Sequence, residues 1–267
     1  MQAQTSAVSY SSATSSQEIA APDTARFSVR IADDRRLIEA ALCLRYKVFC
    51  EEMGADIKRH DGRDVDEFDP LCEHLVVTDD WRDKVVGTYR ILPPWSAKRL
   101  GKRYSETEFR IDGLRPIMGE IFEVGRACVH PAYRASAGSA VFARLWSGLG
   151  AYVRENQVKY LAGCASVPFE RGAANLAALR ASLMAKHLAP AEYRVEPLRG
   201  LPSLGDPNGM IPSVPPLLKG YLRLGAWIGG EAAWDPTFDC ADFFVLLPIE
   251  RISPRYARHF LGFETSH

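Results

Sequence analysis

Apolar residues along this chain recur with two periods, near 2 and near 3.6, and the order in which those periods alternate predicts layered α and β elements. Phe27–Ile31 alternates apolar and polar residues as a half-buried strand does. Asp33 and Asp34 can cap the next helix, whose stripe runs through Leu37, Ile38, Ala41, Leu44, Val48 and Phe49 and stops at Gly54. Arg45 falls inside that stripe, where a charge is out of place. A polar loop over 56–70 leads to two strand-like runs, 74–78 and Lys84–Leu92, joined by the turn-forming DDWRD. Residues 93–118 read as irregular and basic. Residues 120–129 read as a buried strand that stops at His130-Pro131, 139–155 as a helix, 158–167 as a strand, and Ala173–His187 as a helix closed by Pro190. Residues 197–216 are rich in Pro and Gly; KGYLRLGAWIG then reads as helical and ADFFVLLPI as a strand before a short last helix. This order predicts an α/β (α+β) layer fold, with residues 26–262 forming one domain and the part from about residue 200 packed on it as a C-terminal extension.

Composition narrows the class. The 33 Lys and Arg balance 33 Asp and Glu, so no global field favours nucleic acid as a partner. At 47% hydrophobic and 25% charged the usage is that of a globular protein, not of a disordered polyampholyte. No apolar run is long enough to span a bilayer. The first 25 residues hold no Lys or Arg and are rich in Ser, Ala and Thr, which reads as a disordered tail rather than a secretory signal. The six cysteines form no C-x-x-C pair and the histidines no H-x-x-x-H pair, so the expectation is free thiols in a cytoplasmic protein and no metal site. The acidic run 61–69 is no EF-hand, since counting from Asp64 puts Phe68 and Asp69 at the fifth and sixth places. Phosphate-loop, dinucleotide-loop and G-x-S-x-G motifs are missing as well.

What stands out is a set of ionisable residues within apolar patterns: Arg45, Arg90 in VVGTYRIL, and Glu123 and Arg126 in IFEVGRACV. A charge on a core strand is costly unless paired or used. Glu123 and Arg126 are three apart, so strict alternation separates them onto opposite faces unless the strand bulges, with Gly125 the candidate. Each residue alone also has a structural reading: an ion pair, a solvated face, a snorkelling stem or a solvated acidic loop.

As a set, Arg45, Phe49, Asp64, Asp66, Asp69, Arg90 and the Glu123/Arg126 pair resemble the acyl-carrier-protein-dependent branch of the GNAT acyltransferases, in particular the acyl-homoserine-lactone synthases. The chain departs from that pattern by lacking the Trp after the Phe and by carrying Asp64 where the acidic loop usually opens with Glu. The second half, PPLLKGYLRLGAWIGGEAAWDPTFDCADFFVLLP with PRYARHFLG, resembles the L-ornithine Nα-acyltransferases of ornithine-lipid synthesis. The resemblance implies a GNAT-like fold with a mixed central sheet flanked by helices. It also implies transfer of a 3-hydroxyacyl chain from acyl carrier protein to the α-amine of L-ornithine, giving lyso-ornithine lipid. The donor is then a co-substrate, with no tightly bound cofactor. Alternatives are another amino acid or amine as acceptor, lactone synthesis, or a catalytically silent carrier-protein or membrane-binding module.

An activated thioester needs no Ser or Cys nucleophile, so the missing triad motifs fit this chemistry. Glu123 is the candidate base for the ammonium proton, and Arg126 can orient it or hold a substrate carboxylate. Arg45 or Arg90 could meet that carboxylate, and Asp64, Asp66 or Asp69 the second amine, unless the acidic loop is a structural network. Backbone N–H groups at Ala127, Cys128 and Val129 could stabilise the oxyanion, as the resemblance implies for this strand. The stretch RASAGSA, Arg134 to Ala140, is one residue longer before Gly138 than the pyrophosphate cradle usual in this superfamily, which suits a protein-bound phosphopantetheine, a variant loop being the alternative. KRLGKR (98–103) could meet the carrier protein or an anionic inner-membrane surface, a solvated loop being the alternative.

Overall fold

The computed structural model describes residues 26–57, 61–134, 138–207 and 209–261, so the expected tail over 1–25 lies outside the described residues. The chain starts with strand β1 (Phe27–Ile31) and helix α1 (Arg35–Tyr46), which continues into a π-helical turn, Lys47–Glu52. Asp34 caps α1 by accepting the Leu37 N–H at 2.8 Å. Strands β2 (Glu73–Asp79) and β3 (Lys84–Leu92) follow, then helix α2 (Pro94–Leu100), the two-residue strand β4 (Phe109–Arg110) and strand β5 (Ile121–Val129). Helices α3 (Pro131–Arg134) and α4 (Gly138–Glu155), strand β6 (Tyr160–Pro168) and helix α5 (Ala173–His187) come next. The remainder holds β7 (Glu196–Pro197), α6 (Pro216–Leu224), β8 (Trp227–Ile228), β9 (Ala233–Asp235), β10 (Cys240–Pro248) and α7 (Pro254–Leu261).

One mixed sheet organises these elements in the order β1-β2-β3-β5-β6-β10-β8, with β9 also on β10 and a separate β4–β7 ribbon. Every pair in the large sheet is antiparallel except β5–β6. The C-terminal part is therefore not an appendage, since β10 pairs along its whole length with β6. On one face α4 buries Val141, Leu145 and Leu149 against Leu75, Val86, Phe122 and Phe243. On the other, α1 sets Leu37, Ala41 and Leu44 on Val76, Val85 and Cys128, while Phe109, Ile111 and Leu114 cover Ala162, Phe244 and Leu246.

Two sequence expectations change. Within 93–118, Pro93-Pro94 and Gly101 delimit the short helix α2; Gly101 ends it at φ 81°, a left-handed conformation that glycine adopts without a Cβ clash. KGYLRLGAWIG is helical only to Leu224, because Gly225 (φ 98°) terminates α6 and releases Trp227–Ile228 to pair with β10.

The feature that positions the site is a bulge in β5. Gly125 pairs with Arg90 and Cys128 with Thr88, so Arg126 and Ala127 together oppose the single residue Tyr89. Arg126 adopts φ 52° to make this possible, and the extra residue returns its side chain to the Glu123 face of the sheet. Beyond the bulge β5 also loses its parallel neighbour, since pairing with β6 covers only residues 121–123 against 160–162. At the vertex of this splay Gly163 lies so close to Val124 that a Cβ would fall 2.2 Å from the Val124 carbonyl oxygen.

Backbone cannot yield as a side-chain tip can, so Gly163→Ala should cost about 1–3 kcal/mol through overpacking. Denaturant unfolding checks this, with wild-type stability in the variant as the contrary result.

Candidate active site

The splay opens into a cavity of about 630 Å³ with two chemically different arms. On the α4 side its wall is apolar, formed by Phe142, Leu145, Trp146, Leu217 and Tyr221. Trp146 packs 5.7 Å from Phe142 and 5.1 Å from Tyr221, ring centre to ring centre. On the α1 side the lining turns polar: Tyr104, Glu123, Arg126, Ser166, Asp235 and Asp242. The boundary between the arms is the unpaired edge of β5.

Beneath the polar arm lies a closed network of three arginines and three aspartates. Arg45, 0% exposed, donates Nε–H to Asp64 at 2.7 Å and grips Asp69 with both terminal nitrogens, at 2.6 and 3.2 Å. Arg90 donates Nη1–H to both Asp66 oxygens at 2.7 Å and reaches Asp69 at 3.3 Å. Arg126 donates to Asp64 at 3.2 Å and Asp66 at 3.5 Å. Burial alone would raise the Asp69 carboxyl, but Arg45 and Arg90 outweigh it and hold that carboxyl well below the ordinary aspartate range.

These positions divide the expected site residues. Arg45, Asp64, Asp66 and Asp69 do not line the cavity. Arg45 has no exposed surface to offer a substrate, and Asp64 and Asp69 are buried against arginines. The three aspartates thus sit in a network of ion pairs, the structural alternative the sequence left open, and Asp66, with 23% of its side chain exposed, is the one that solvent reaches most. Phe49, on the π-helical turn, does line the cavity, edge-on to Phe238 at 5.8 Å. Arg90 and Arg126 line it too, and the Arg126 guanidinium lies between the Tyr104 and Phe238 rings at 4.8 and 4.7 Å.

Glu123 and Arg126 share a face and a cavity but have different partners. One Glu123 oxygen accepts the Tyr104 N–H at 2.8 Å and the other the Ser105 N–H at 2.7 Å. The carboxylate expected to be the base thus anchors the loop that carries Tyr104. Basic KRLGKR is also split by the fold: Arg103 turns inward to the Ile121 and Met118 carbonyls, Lys102 pairs with Glu67, and Lys98 and Arg99 stay exposed.

Ala127, Cys128 and Val129 line the cavity along the β5 edge. Arg134 stands at its mouth, donating to the Val129 carbonyl at 3.0 Å and to Glu52. Gly138 opens α4, but residues 135–137 of the expected cradle lie outside the described residues. All six cysteines are free. Burial pushes the Cys128 thiol up to about 12 and Cys164 well up, so neither offers a thiolate to the cavity.

Sequence reasoning missed Tyr104, Ser166, Asp235, Phe238 and Asp242. Asp235 and Asp242 flank the β9–β10 turn, and the signal was available, since ADFFVLLP carries a carboxylate within a buried strand pattern, as IFEVGRACV does. Asp235 spends one oxygen on the Thr237 and Phe238 N–H groups at 2.8 and 3.3 Å and receives Tyr104 O–H on the other at 3.4 Å. Ligand atoms of Asp235, Cys240 and Asp242 come within 4.8 Å of one another. Of these three, Asp235 already commits one oxygen to its own turn.

Residues 44–147, which include the bulged strand β5, match the Acetyltransferase (GNAT) domain family, and with the mixed sheet this makes the chain an acyltransferase of the GNAT type. An L-ornithine N(alpha)-acyltransferase of Brucella abortus (strain 2308) is 37% identical over 252 residues, covering 87% of this chain and 88% of that protein. One from Rhizobium meliloti (strain 1021) is 35% identical over 253 residues, covering 88% and 84%. The chain belongs to the L-ornithine N(alpha)-acyltransferase family. The crystal structure of the AHL synthase LasI shares the fold, with a TM-score of 0.52 at 15% identity over 90% of this chain and 98% of that one.

Breaking the buried network should be expensive. Arg45→Met takes the closest cation from two buried carboxylates, leaving Asp69 only the longer Arg90 contact and Asp64 only that of Arg126, and should cost about 3–5 kcal/mol, whereas Arg36→Ala, which breaks the exposed Arg36–Asp83 pair, should cost less than about 1 kcal/mol. Since Asp69 is depressed in the folded state, its contribution is complete above the unfolded aspartate value near ~4 and is lost as pH falls below it. Urea titrations between pH 7 and pH 3 measure both effects; equal losses for the two variants at neutral pH would contradict this account.

Proposed function

We propose that this enzyme transfers a 3-hydroxyacyl chain from the phosphopantetheine thioester of acyl carrier protein to the α-amine of L-ornithine, forming lyso-ornithine lipid. The observation that carries the reading is the cavity itself, which joins an apolar arm suited to an acyl chain with a polar arm suited to an amino acid. Membership of the family supports ornithine as the acceptor. The thioester carbonyl would lie against the unpaired edge of β5, where N–H groups of Ala127–Val129 are candidates for stabilising the oxyanion. Arg126 would hold the α-carboxylate through its planar fork. Its bonds to Asp64 and Asp66 are long, at 3.2 and 3.5 Å, and its ring neighbours fix its plane. Arg90 contributes positive charge behind it, and Glu123 holds the Tyr104 loop in place.

The carrier protein, rather than free coenzyme A, suits the lengthened stretch before Gly138 and the exposed basic groups Arg134, which lines the cavity, and Lys219 and Arg223 of α6. Among the described residues no helix is long and apolar enough to cross a membrane. We place the enzyme in the cytoplasm, delivering its lipid product at the inner-membrane surface.

Purified full-length protein incubated with 3-hydroxyacyl carrier protein and L-ornithine should release carrier thiol and form an N-acyl-ornithine detected by mass spectrometry. Exclusive formation of another amide, or of a lactone from S-adenosylmethionine, would overturn the assignment. Arg126→Lys keeps the charge but loses the fork, and should raise the KM for ornithine at least about tenfold.

A further inference from the structure

With both Glu123 oxygens engaged by backbone N–H groups, the polar arm still needs a group to take the ammonium proton. Four carboxylates lie in or beside this arm. Glu123 holds the Tyr104–Ser105 loop, Asp235 holds its own turn, and Glu108 is gripped by Arg199 at 3.0 and 3.2 Å. Asp242 differs. It lines the cavity at 1% exposure, and among the described residues its side-chain hydrogen-bond partners are the Cys240 thiol, at a long 3.5 Å, and the Ser166 hydroxyl. Its register partner on β6 is Ser166, four residues past the last β5–β6 pair at Ala162, so it faces the part of the sheet where the strands have separated.

We infer that Asp242 is the catalytic base of this enzyme, accepting the proton of the acceptor's α-ammonium in the polar arm. This rests on reading the cavity as the site of thioester aminolysis. Asp242 takes one proton from the ammonium; the freed nitrogen lone pair attacks the thioester carbon, the C–N bond forms and the C–S bond breaks. The nitrogen's surplus proton goes to the departing sulfur, leaving amide, free thiol and a proton on Asp242 that returns to solvent. Burial raises this carboxyl to about 6, with Asp235 adding to the shift while Ser166 and Arg126 oppose it, a value near the working pH that suits a base. The other groups facing it are Cys240 on its own strand, Cys164 on β6, Tyr104 from the loop that Glu123 anchors, and Glu108, whose carboxyl is pushed up to about 7 by burial, with Asp235 and Asp242 adding to the shift.

Thiol release from acyl carrier protein, measured against pH, tests the assignment. Wild type should show an acid limb near pH 6 in kcat/KM. Asp242→Asn, folded by circular dichroism, should lose about 10²–10⁴-fold in kcat and show no limb. Ser166→Ala removes a hydrogen bond that favours the ionised form, and should move the limb to higher pH without abolishing turnover. Glu123→Gln should retain the limb even if its stability falls. An Asp242→Asn enzyme that keeps the limb, or that changes only the KM for the amine, would overturn the assignment, as would a Glu123→Gln enzyme that loses the limb. Ornithine turnover by wild type tests the acceptor separately, because the variant-to-wild-type ratio is read on whichever amino acid the wild-type enzyme acylates.

Discussion

Everything in the polar half of this enzyme depends on balanced charge that has been taken out of water. Arg45 from α1, Arg90 from β3 and Arg126 from β5 meet Asp64, Asp66 and Asp69 from one loop, three positive groups against three negative. Desolvating six charges is costly, and an apolar core of the same volume could be as stable. What the network provides is position. It ties a helix, two strands and a loop to one another and leaves Arg90 and Arg126 lining the cavity, Arg126 from a backbone conformation that few residues other than glycine adopt readily.

That strained residue also links the network to the sheet. The bulge that turns Arg126 toward the aspartates is the same irregularity beyond which β5 has parted from β6. Gly163 sets how close the strands come at the vertex, and past it the gap widens into the cavity. Electrostatics on one face and acyl-sized apolar space on the other are thus two consequences of one extra residue. In the proposed reaction the thioester would lie across the sheet there, its chain among the apolar residues Phe142, Leu145 and Trp146 that line the cavity and its carbonyl at the strand edge.

Much of this was legible in the sequence, and the parts that were not have physical reasons. Periodicity located Phe27–Ile31 and Ala173–His187 to the residue, because each is a uniform pattern bounded by its own stop signals. It failed at Gly225, where a helix and a strand of similar hydrophobicity adjoin and only the glycine's backbone conformation separates them. Charges inside apolar runs marked Arg45, Arg90, Glu123 and Arg126 as unusual. They could not reveal who pairs with whom, because the partners lie 19 to 62 residues apart and only the fold brings them together. Hence the sequence leaves Arg45 open as a substrate ligand or a snorkelling stem, and only the fold shows it fully buried between Asp64 and Asp69. Asp242 carried the same signal as Glu123 in ADFFVLLP, and what separates their roles is which oxygens the backbone has already claimed.

The account's central claim is that donor and acceptor meet at the splay, one from each side of the sheet. A crystal structure of the full chain with the product N-(3-hydroxyacyl)-ornithine bound tests it most directly. The amide should lie beside Ala127–Val129, the acyl chain against Trp146 and Tyr221, and the carboxylate on Arg126. A product lying wholly on one face of the sheet, or one with its carboxylate on another cation, would contradict it.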